Sequence, residues 1–244
     1  MISLEISQIL LLIVVCAGAG FIQRVSGFGL GIFAMLFLPH FLPSNTAASA
    51  MICIISCGTS SYNAIKYRKQ IPFRTILPLF GAAMVMIPIV VRFSAVVPEK
   101  LMKSLLGMIL IVLSIYFLFF NSRIHIKATV KNGVIAGALS GILNGLFATG
   151  GPPAVLYLTH ATANNLAYFA GIQFFFSLSN VYSTIFRAIN GILTREIWIC
   201  AGLGFLGAIA GDWVGRRIFD KLNAKMLKQI IYIGMIISGF FMIA

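Results

Sequence analysis

The chain contains 244 residues, of which 60% are hydrophobic and 9% are charged, and its formal net charge is +13. So high an apolar content excludes a soluble single domain and predicts a membrane protein. Because Lys and Arg gather in short loops between apolar runs, the positive charge indicates orientation in the bilayer and contact with lipid headgroups rather than nucleic-acid binding.

Eight apolar runs follow one another along the chain, and most approach the ~20 residues that a helix needs to cross a bilayer. They cover residues 4–22, 45–65, 75–91, 104–120, 132–149, 166–186, 197–211 and 229–244. Helices satisfy all of their backbone hydrogen bonds within lipid. The predicted fold is therefore an all-α polytopic membrane protein.

The two halves of the chain share an order of features that indicates an internal duplication. Sliding the sequence by 120 positions aligns identical residues, including Gly31 with Gly151, Leu38 with Leu158, His40 with His160, Asn45 with Asn165 and Tyr62 with Tyr182. Each half contains a glycine-rich interruption, a short apolar piece, a polar turn and further apolar runs. We interpret residues 1–122 as an N-terminal repeat and residues 123–244 as a C-terminal repeat of one integral membrane domain.

The positions of the basic residues distinguish two topologies. If all eight runs cross and the N-terminus lies inside, nine Lys and Arg lie inside and eight outside, which expresses no preference. If one piece of each half enters and leaves by the same face and the N-terminus lies outside, twelve lie inside and five outside, with Arg24 uncounted. The positive-inside rule favours the second topology. The halves are then inverted repeats, each with a broken or re-entrant helix, which is a frequent plan for secondary transporters.

Both halves interrupt an apolar run with residues that end one helix and begin another. In the second half two glycines precede Pro152, and proline suits the first turn of a helix because its missing N–H would be unpaired there. The first half uses glycine alone for the same turn, in SGFGLG at 26–31. A helix start presents free N–H groups and a positive dipole end, which attract anions. Kinked helices with glycines for close packing are the alternative interpretation.

The interruptions and the polar positions near them supply the candidate substrate-binding residues. They are Arg24, Ser26, Gly27, Phe28, Gly29, Gly31, Asn45, Asn144, Thr149, Gly150, Gly151, Pro152, Asn165, Gln173 and Ser177.

Several of these residues have a second interpretation. Arg24 either pairs with an anionic substrate or extends to the inner membrane interface. Asn45, Asn164 and Asn165 lie in the polar turns and either line the substrate pathway or cap the helices that follow them. Gln173 and Ser177 share one helical face with Asn180, and this face either lines a pore or forms interhelical hydrogen bonds.

The duplicated halves, each with a glycine-rich interruption (SGFGLG and TGGPP), resemble the TauE/SafE sulfite exporter family over essentially the whole chain. The resemblance implies transport of a small anion, often a sulfur compound such as sulfite or an organosulfonate, across the cytoplasmic membrane. It also implies that the segments at 26–31 and 149–153 are functional. The first half lacks a proline that matches Pro152, so the two interruptions are not equivalent.

We therefore predict a multi-pass secondary transporter in the cytoplasmic membrane, whose partners are a small anionic substrate and the lipid bilayer. The sequence is also compatible with a homo-oligomer. A passive anion channel would use the same lining, and a membrane-embedded enzyme or accessory subunit is a further alternative. Since the sequence has no HExxH motif, paired acids or His/Asp cluster, we expect no enzymatic activity. We likewise expect no cofactor, no bound metal and no nucleic-acid partner.

Overall fold

The computed structural model describes residues 6–120, 127–218 and 224–243, and this part of the chain is helical with short connections. Its ten α-helices are α1 (Ile6–Ser26), α2 (Leu30–Phe37), α3 (Asn45–Lys66), α4 (Phe73–Val96), α5 (Glu99–Ile115), α6 (Val130–Phe147), α7 (Gly151–Ala161), α8 (Asn165–Ile189), α9 (Arg195–Ile218) and α10 (Ala224–Ile243). A π-helical turn at Tyr116–Phe120 extends α5. The order of one long, one short and three long helices occurs twice.

Five helices in the described ranges are long and apolar enough to cross a membrane, namely α1, α4, α5 with its π-helical turn, α6 and α9. Helices α3 and α8 are as long, at 22 and 25 residues, but they carry rows of Ser and Asn. The protein is thus a helical, polytopic membrane protein, as its composition predicts. The number of crossings and the inverted repeat stay predictions.

The eight long helices overlap the eight apolar runs, but several continue further than the runs do. Helix α1 continues beyond residue 22 because Gln23 finds a partner on α3, donating from Nε2 to the Ser60 hydroxyl at 3.2 Å. Helix α9 continues beyond residue 211 because Asp212 pairs with Arg216 one turn later, at 2.6 Å. Polar residues do not end these helices, since the fold supplies their partners.

Glycine faces bring two pairs of helices into close parallel contact. Along α9, Gly207, Gly211 and Gly215 meet Ile13, Ala17 and Arg24 of α1 in that order. Along α6, Gly137, Gly141 and Gly145 meet Leu79, Ala83 and Val90 of α4 in that order. Small residues at four-residue spacing allow such close backbone approach in membrane proteins, and both sets of glycines serve the helix contact that their spacing predicts.

Helices α3 and α8 run antiparallel to each other. Ser56 of α3 accepts a hydrogen bond from Asn180 of α8, whereas Ser61, further along α3, meets Ser177, earlier in α8. Helices α5 and α10 approach each other at Gly107 and Gly239. The polar faces of α3 and α8 therefore point at each other in the interior of the bundle.

The short helices α2 and α7 turn back along the helices that precede them. The Phe33 ring of α2 lies against Gly18 of α1, so α2 runs antiparallel to α1. The Tyr157 hydroxyl of α7 lies beside Gly133, near the start of α6, so α7 likewise runs antiparallel to α6. Each interruption is thus the tip of a helical hairpin.

Candidate functional site

The first interruption is a tight glycine turn that leaves a helix start uncapped. Gly27 and Gly29 have φ angles of 80° and 97°, in the left-handed region that glycine tolerates. Helix α2 begins after Gly29 without a hydrogen bond from a capping side chain. Its first internal bond is donated by Phe33 to the Gly29 carbonyl at 2.9 Å. The backbone N–H groups of residues 30–32 precede that bond, and an α-helix has no internal partner for them.

The second interruption is built differently and exposes fewer donors. Ala148 follows the last residue of α6 and has a φ of 56°, which lies in the left-handed region although the residue is not a glycine. Such a conformation costs an L-residue about 1–2 kcal/mol. Helix α7 then begins with Gly151, Pro152 and Pro153. Because proline has no backbone N–H, the first turn of α7 presents the amide of Gly151 alone.

The two interruptions touch each other. A Cβ added to Gly31 would overlap the backbone carbonyl of Ala148, and one added to Gly151 would lie 3.4 Å from the Phe28 ring. The start of α2 therefore lies directly against the end of α6. Residues 117 positions apart in the sequence, Gly31 and Ala148, form this contact, which only glycine at position 31 accommodates.

A small cavity of about 20 Å³ lies between the interruptions. It is lined by Gln23, Gly29, Leu30, Gly31, Ile32, Ser56, Asn144, Ala148, Thr149, Gly150, Gly151, Phe176 and Asn180. One water molecule needs about 10–15 Å³ of such space. The cavity therefore has room for one water but not for an oxyanion, which has to widen it.

Four polar side chains in the lining are held by hydrogen bonds. Asn144 donates from Nδ2 to Asn180 Oδ1 at 2.9 Å, and Asn180 donates from Nδ2 to Ser56 Oγ at 3.0 Å. This chain links α6, α8 and α3 around the cavity. Gln23 binds Ser60 of α3 on the first-half side. Fixed donors of this kind suit a ligand whose charge must be bound without water.

The cavity lining combines neutral donors with one helix start that offers three amides and another that offers one. None of its residues carries a formal charge. Helix starts carry roughly half a positive charge and helix ends roughly half a negative one, and at the two interruptions the starts of α2 and α7 follow the ends of α1 and α6.

Six of the predicted site residues line this cavity, namely Gly29, Gly31, Asn144, Thr149, Gly150 and Gly151. Another five form the walls behind it. Ser26 donates to the Ile22 carbonyl at 2.7 Å, Phe28 packs on Phe117, and Pro152 is buried in the first turn of α7. Gln173, fully buried, donates from Nε2 to the Gly27 carbonyl at 2.9 Å and so holds the first interruption from α8.

The remaining four predicted residues lie outside the cavity. Arg24 stacks over the Phe169 ring at 5.9 Å, and Ser177 exchanges a 2.7 Å hydrogen bond with Ser61. Asn45 donates to the Glu99 carboxylate from both its backbone and its side chain. Asn165 is exposed at the first turn of α8.

The capping interpretation is confirmed for Asn164 at the start of α8, but α3 is capped by Ser44 and not by Asn45. Ser44 caps α3 through Ala47 N–H at 3.0 Å, and Asn164 caps α8 through Ala167 N–H at 2.8 Å. Asn164 is one of the predicted capping positions, whereas Ser44 lies one residue before the predicted Asn45. The polar turns therefore start helices α3 and α8, as N-cap residues of these types do.

Three polar lining residues, Gln23, Ser56 and Asn180, are absent from the predicted site. The signal for two of them exists in the sequence, because Ser56 and Asn180 belong to polar stripes on the predicted helices. Gln23 is the polar residue beside Arg24, and of these two neighbours Gln23 lines the cavity. No group of His, Cys, Asp and Glu side chains that could hold a metal ion occurs within the described residues.

A family model described as sulfite exporter TauE/SafE matches residues 11–242 of the chain. No curated protein and no solved structure matches the chain.

Proposed function

The chain belongs to the sulfite exporter TauE/SafE family, a family of membrane transporters, and we propose that it is a secondary transporter of small sulfur-containing anions such as sulfite or organosulfonates. The anion is held between the interruptions at residues 26–31 and 149–153. The membrane is the cytoplasmic membrane.

One observation carries this proposal: the two interruptions meet around a cavity whose lining offers backbone amides, hydroxyl and amide side chains and no carboxylate. A sulfite or sulfonate group accepts several hydrogen bonds through its oxygens, and helix starts bind such groups well. The three amides at residues 30–32 supply the stronger side of the site. The Asn144–Asn180–Ser56 chain fixes the opposite side.

The two halves act as inverted repeats. Two features support this arrangement, since α1 pairs in parallel with α9 as α6 does with α4, while α3 and α8 cross antiparallel. The hairpins α1–α2 and α6–α7 then enter from opposite faces and meet at the cavity. With the N-terminus outside, the cytoplasmic loops carry most of the basic residues.

The size of the cavity favours a carrier over an open channel. Room for one water leaves no continuous aqueous path for a larger anion. Transport then requires the halves to move apart on one side at a time, which exposes the site alternately to each face.

The test is flux in proteoliposomes that contain the purified full chain. Uptake of labelled sulfite and of a labelled organosulfonate is compared with uptake by protein-free vesicles of the same lipid. We expect saturable uptake of at least one of these anions and competition by unlabelled sulfite. Absence of flux above the empty vesicles for every small anion would refute the proposal, and flux that rises linearly with concentration would identify a channel instead.

A further inference from the structure

Arg187 is a completely buried arginine near the end of α8, with no exposed surface. It follows Gln173, Ser177, Asn180 and Ser183 on one face of that helix, and these side chains are also buried. By sequence alone Arg187 belongs to the loop after the run at 166–186. The structure instead extends α8 past it and directs its side chain into the bundle.

The guanidinium group uses part of its hydrogen-bonding capacity. Nε donates to the Ser183 hydroxyl at 3.3 Å, and Nη2 donates to the carbonyls of Asn144 and Gly145 at 3.2 and 2.8 Å. Nη1 is buried and has no hydrogen-bond partner. Buried donors are nearly always satisfied in proteins, so an empty Nη1 indicates a place for an acceptor.

The positive charge of Arg187 is not balanced by a carboxylate in the described ranges. Glu99 accepts hydrogen bonds from Asn45, and Asp212 is paired with Arg216. Arg187 instead contacts the last carbonyls of α6, whose helix end carries roughly half a negative charge. The last turn of α8, in which Arg187 lies, adds partial negative charge of the same kind, but no carboxylate pairs with Arg187 in the described ranges, and a buried charge without a paired carboxylate is costly.

Arg187 lines neither the central cavity nor a larger open pocket, but it adjoins residues that line each of them. Asn144 connects it to the cavity, because the carbonyl of Asn144 binds Arg187 while the residue also lines the cavity. Just after the end of α8, Asn190 and Gly191 line a pocket of about 580 Å³. Glu99 and Glu196 also line this pocket, and their charges oppose the entry of an anion. The buried positive charge of Arg187 would attract an anion that these two carboxylates repel.

We infer that Arg187 binds the transported anion between this open pocket and the central cavity, with Nη1 donating to an oxygen of the anion. The inference rests on the proposed function, since it adds a charged residue to the same pathway. In the first half, residue 67 corresponds to Arg187 under the 120-residue slide and is a tyrosine. The cation is therefore present on one side of the cavity and makes the pathway asymmetric.

Capping of α6 is the other role that these contacts allow, because arginine at a helix end stabilises the last carbonyls. The two roles differ in their effect on the Michaelis constant for the anion. Loss of a cap lowers the stability and the amount of active protein, and it leaves the Michaelis constant of the remaining protein unchanged. Loss of an anion-binding residue raises that constant.

The experiment compares wild type, Arg187→Gln and Arg187→Lys in proteoliposomes, using labelled sulfite over a range of concentrations. The matched control is Arg195→Gln, which removes one positive charge from an exposed residue shortly after the end of α8. The shift of the thermal unfolding midpoint by sulfite is measured on the same proteins in detergent, since binding to the folded state raises that midpoint.

We expect Arg187→Gln to raise the Michaelis constant for sulfite by roughly tenfold or more, because a hydrogen bond to a charged group is lost. Arg187→Lys retains the charge and restores part of the affinity, and Arg195→Gln stays within about twofold of wild type because exposed charges interact weakly. The sulfite-induced shift disappears in Arg187→Gln and persists in the control.

A folded Arg187→Gln variant with the wild-type Michaelis constant and the wild-type shift would overturn the inference. Failure of both Arg187 variants to fold would overturn it too, since the guanidinium would then serve the fold. If wild type itself transports no anion, the proposed function fails, and this outcome is distinct because it is observed before any variant is compared.

Discussion

Gly31→Ala is the substitution that tests most directly whether the contact between the two interruptions matters. Position 31 lies within the first turn of α2, and its φ is not in the left-handed region, so alanine is compatible with the backbone there. The added methyl group, however, would overlap the Ala148 carbonyl oxygen by more than an ångström relative to van der Waals contact. Both atoms belong to or adjoin the backbone, so a change of side-chain rotamer cannot relieve the overlap.

The start of α2 and the end of α6 therefore have to separate. Overpacking of this kind costs about 1–3 kcal/mol in protein interiors. A shift of about an ångström also displaces the amides of residues 30–32 relative to Asn144 and Asn180. We expect the unfolding free energy to fall by about 1–3 kcal/mol and the transport rate to fall more steeply than the stability does.

The assay measures labelled sulfite flux per folded molecule, together with the thermal unfolding midpoint in detergent. Gly81→Ala is the matched control, because no heavy atom lies within 4 Å of the added methyl group. Alanine favours a helix interior over glycine by up to about 1 kcal/mol, so the control keeps or gains stability and keeps its flux. Wild-type flux and stability in Gly31→Ala would show that the interruptions do not need to touch, and the proposed site would be wrong.

Further substitutions test the cavity, the second interruption and the glycine faces. Asn180→Asp keeps the shape of the side chain but introduces a negative charge, and like charges about 4 Å apart repel by about 4 kcal/mol at an effective dielectric of 20. We therefore expect sulfite flux to fall at least about tenfold, whereas the control Asn165→Asp, at the exposed start of α8, keeps its flux within about twofold of wild type. Equal flux in both variants would contradict a role for Asn180. Ala148→Gly relieves the left-handed conformation and raises the unfolding free energy by about 1 kcal/mol, measured by thermal unfolding; a loss of stability would indicate that the methyl contact outweighs the strain. Gly211→Ala forces a methyl group into the backbone of α1 and lowers the unfolding free energy by about 1–3 kcal/mol, while Gly202→Ala on the same helix meets no atom and does not; an unchanged midpoint for Gly211→Ala would refute the close packing of α1 and α9.

The positions of the interruptions could be predicted because glycine and proline act through local backbone chemistry. Gly27 and Gly29 take conformations that other residues avoid, and Pro152 suits the first turn of a helix wherever that helix lies. The duplication then pointed to a relation between the two segments. The contact of Gly31 with Ala148 agrees with that expectation.

Membership of the site could be predicted less well, because it depends on contacts between distant parts of the chain. Asn45 lies in a polar turn as Asn165 does, yet its environment is set by Glu99, 54 residues further on. Arg187 is buried because carbonyls more than 40 residues earlier accept its hydrogen bonds. The sequence around Asn45 or Arg187 does not indicate these distant partners. From the local sequence, an arginine at the end of an apolar run is therefore predicted to lie in a loop.

Similarly, a polar stripe indicates an inward helix face but not its partner. Ser177 and Asn180 are one turn apart on α8, and both are buried. Ser177 meets a serine of α3, whereas Asn180 meets Asn144 and reaches the cavity. Which partner each side chain meets depends on the angles at which the helices cross, and these angles are set by the packing of the whole bundle.

The narrow space between the two helix tips has a consequence for the cell that houses this protein. A cavity with room for only one water molecule conducts no stream of hydrated ions. A membrane can then contain many copies without dissipating its voltage or its proton gradient. The energetic burden of idle copies then stays limited to their synthesis.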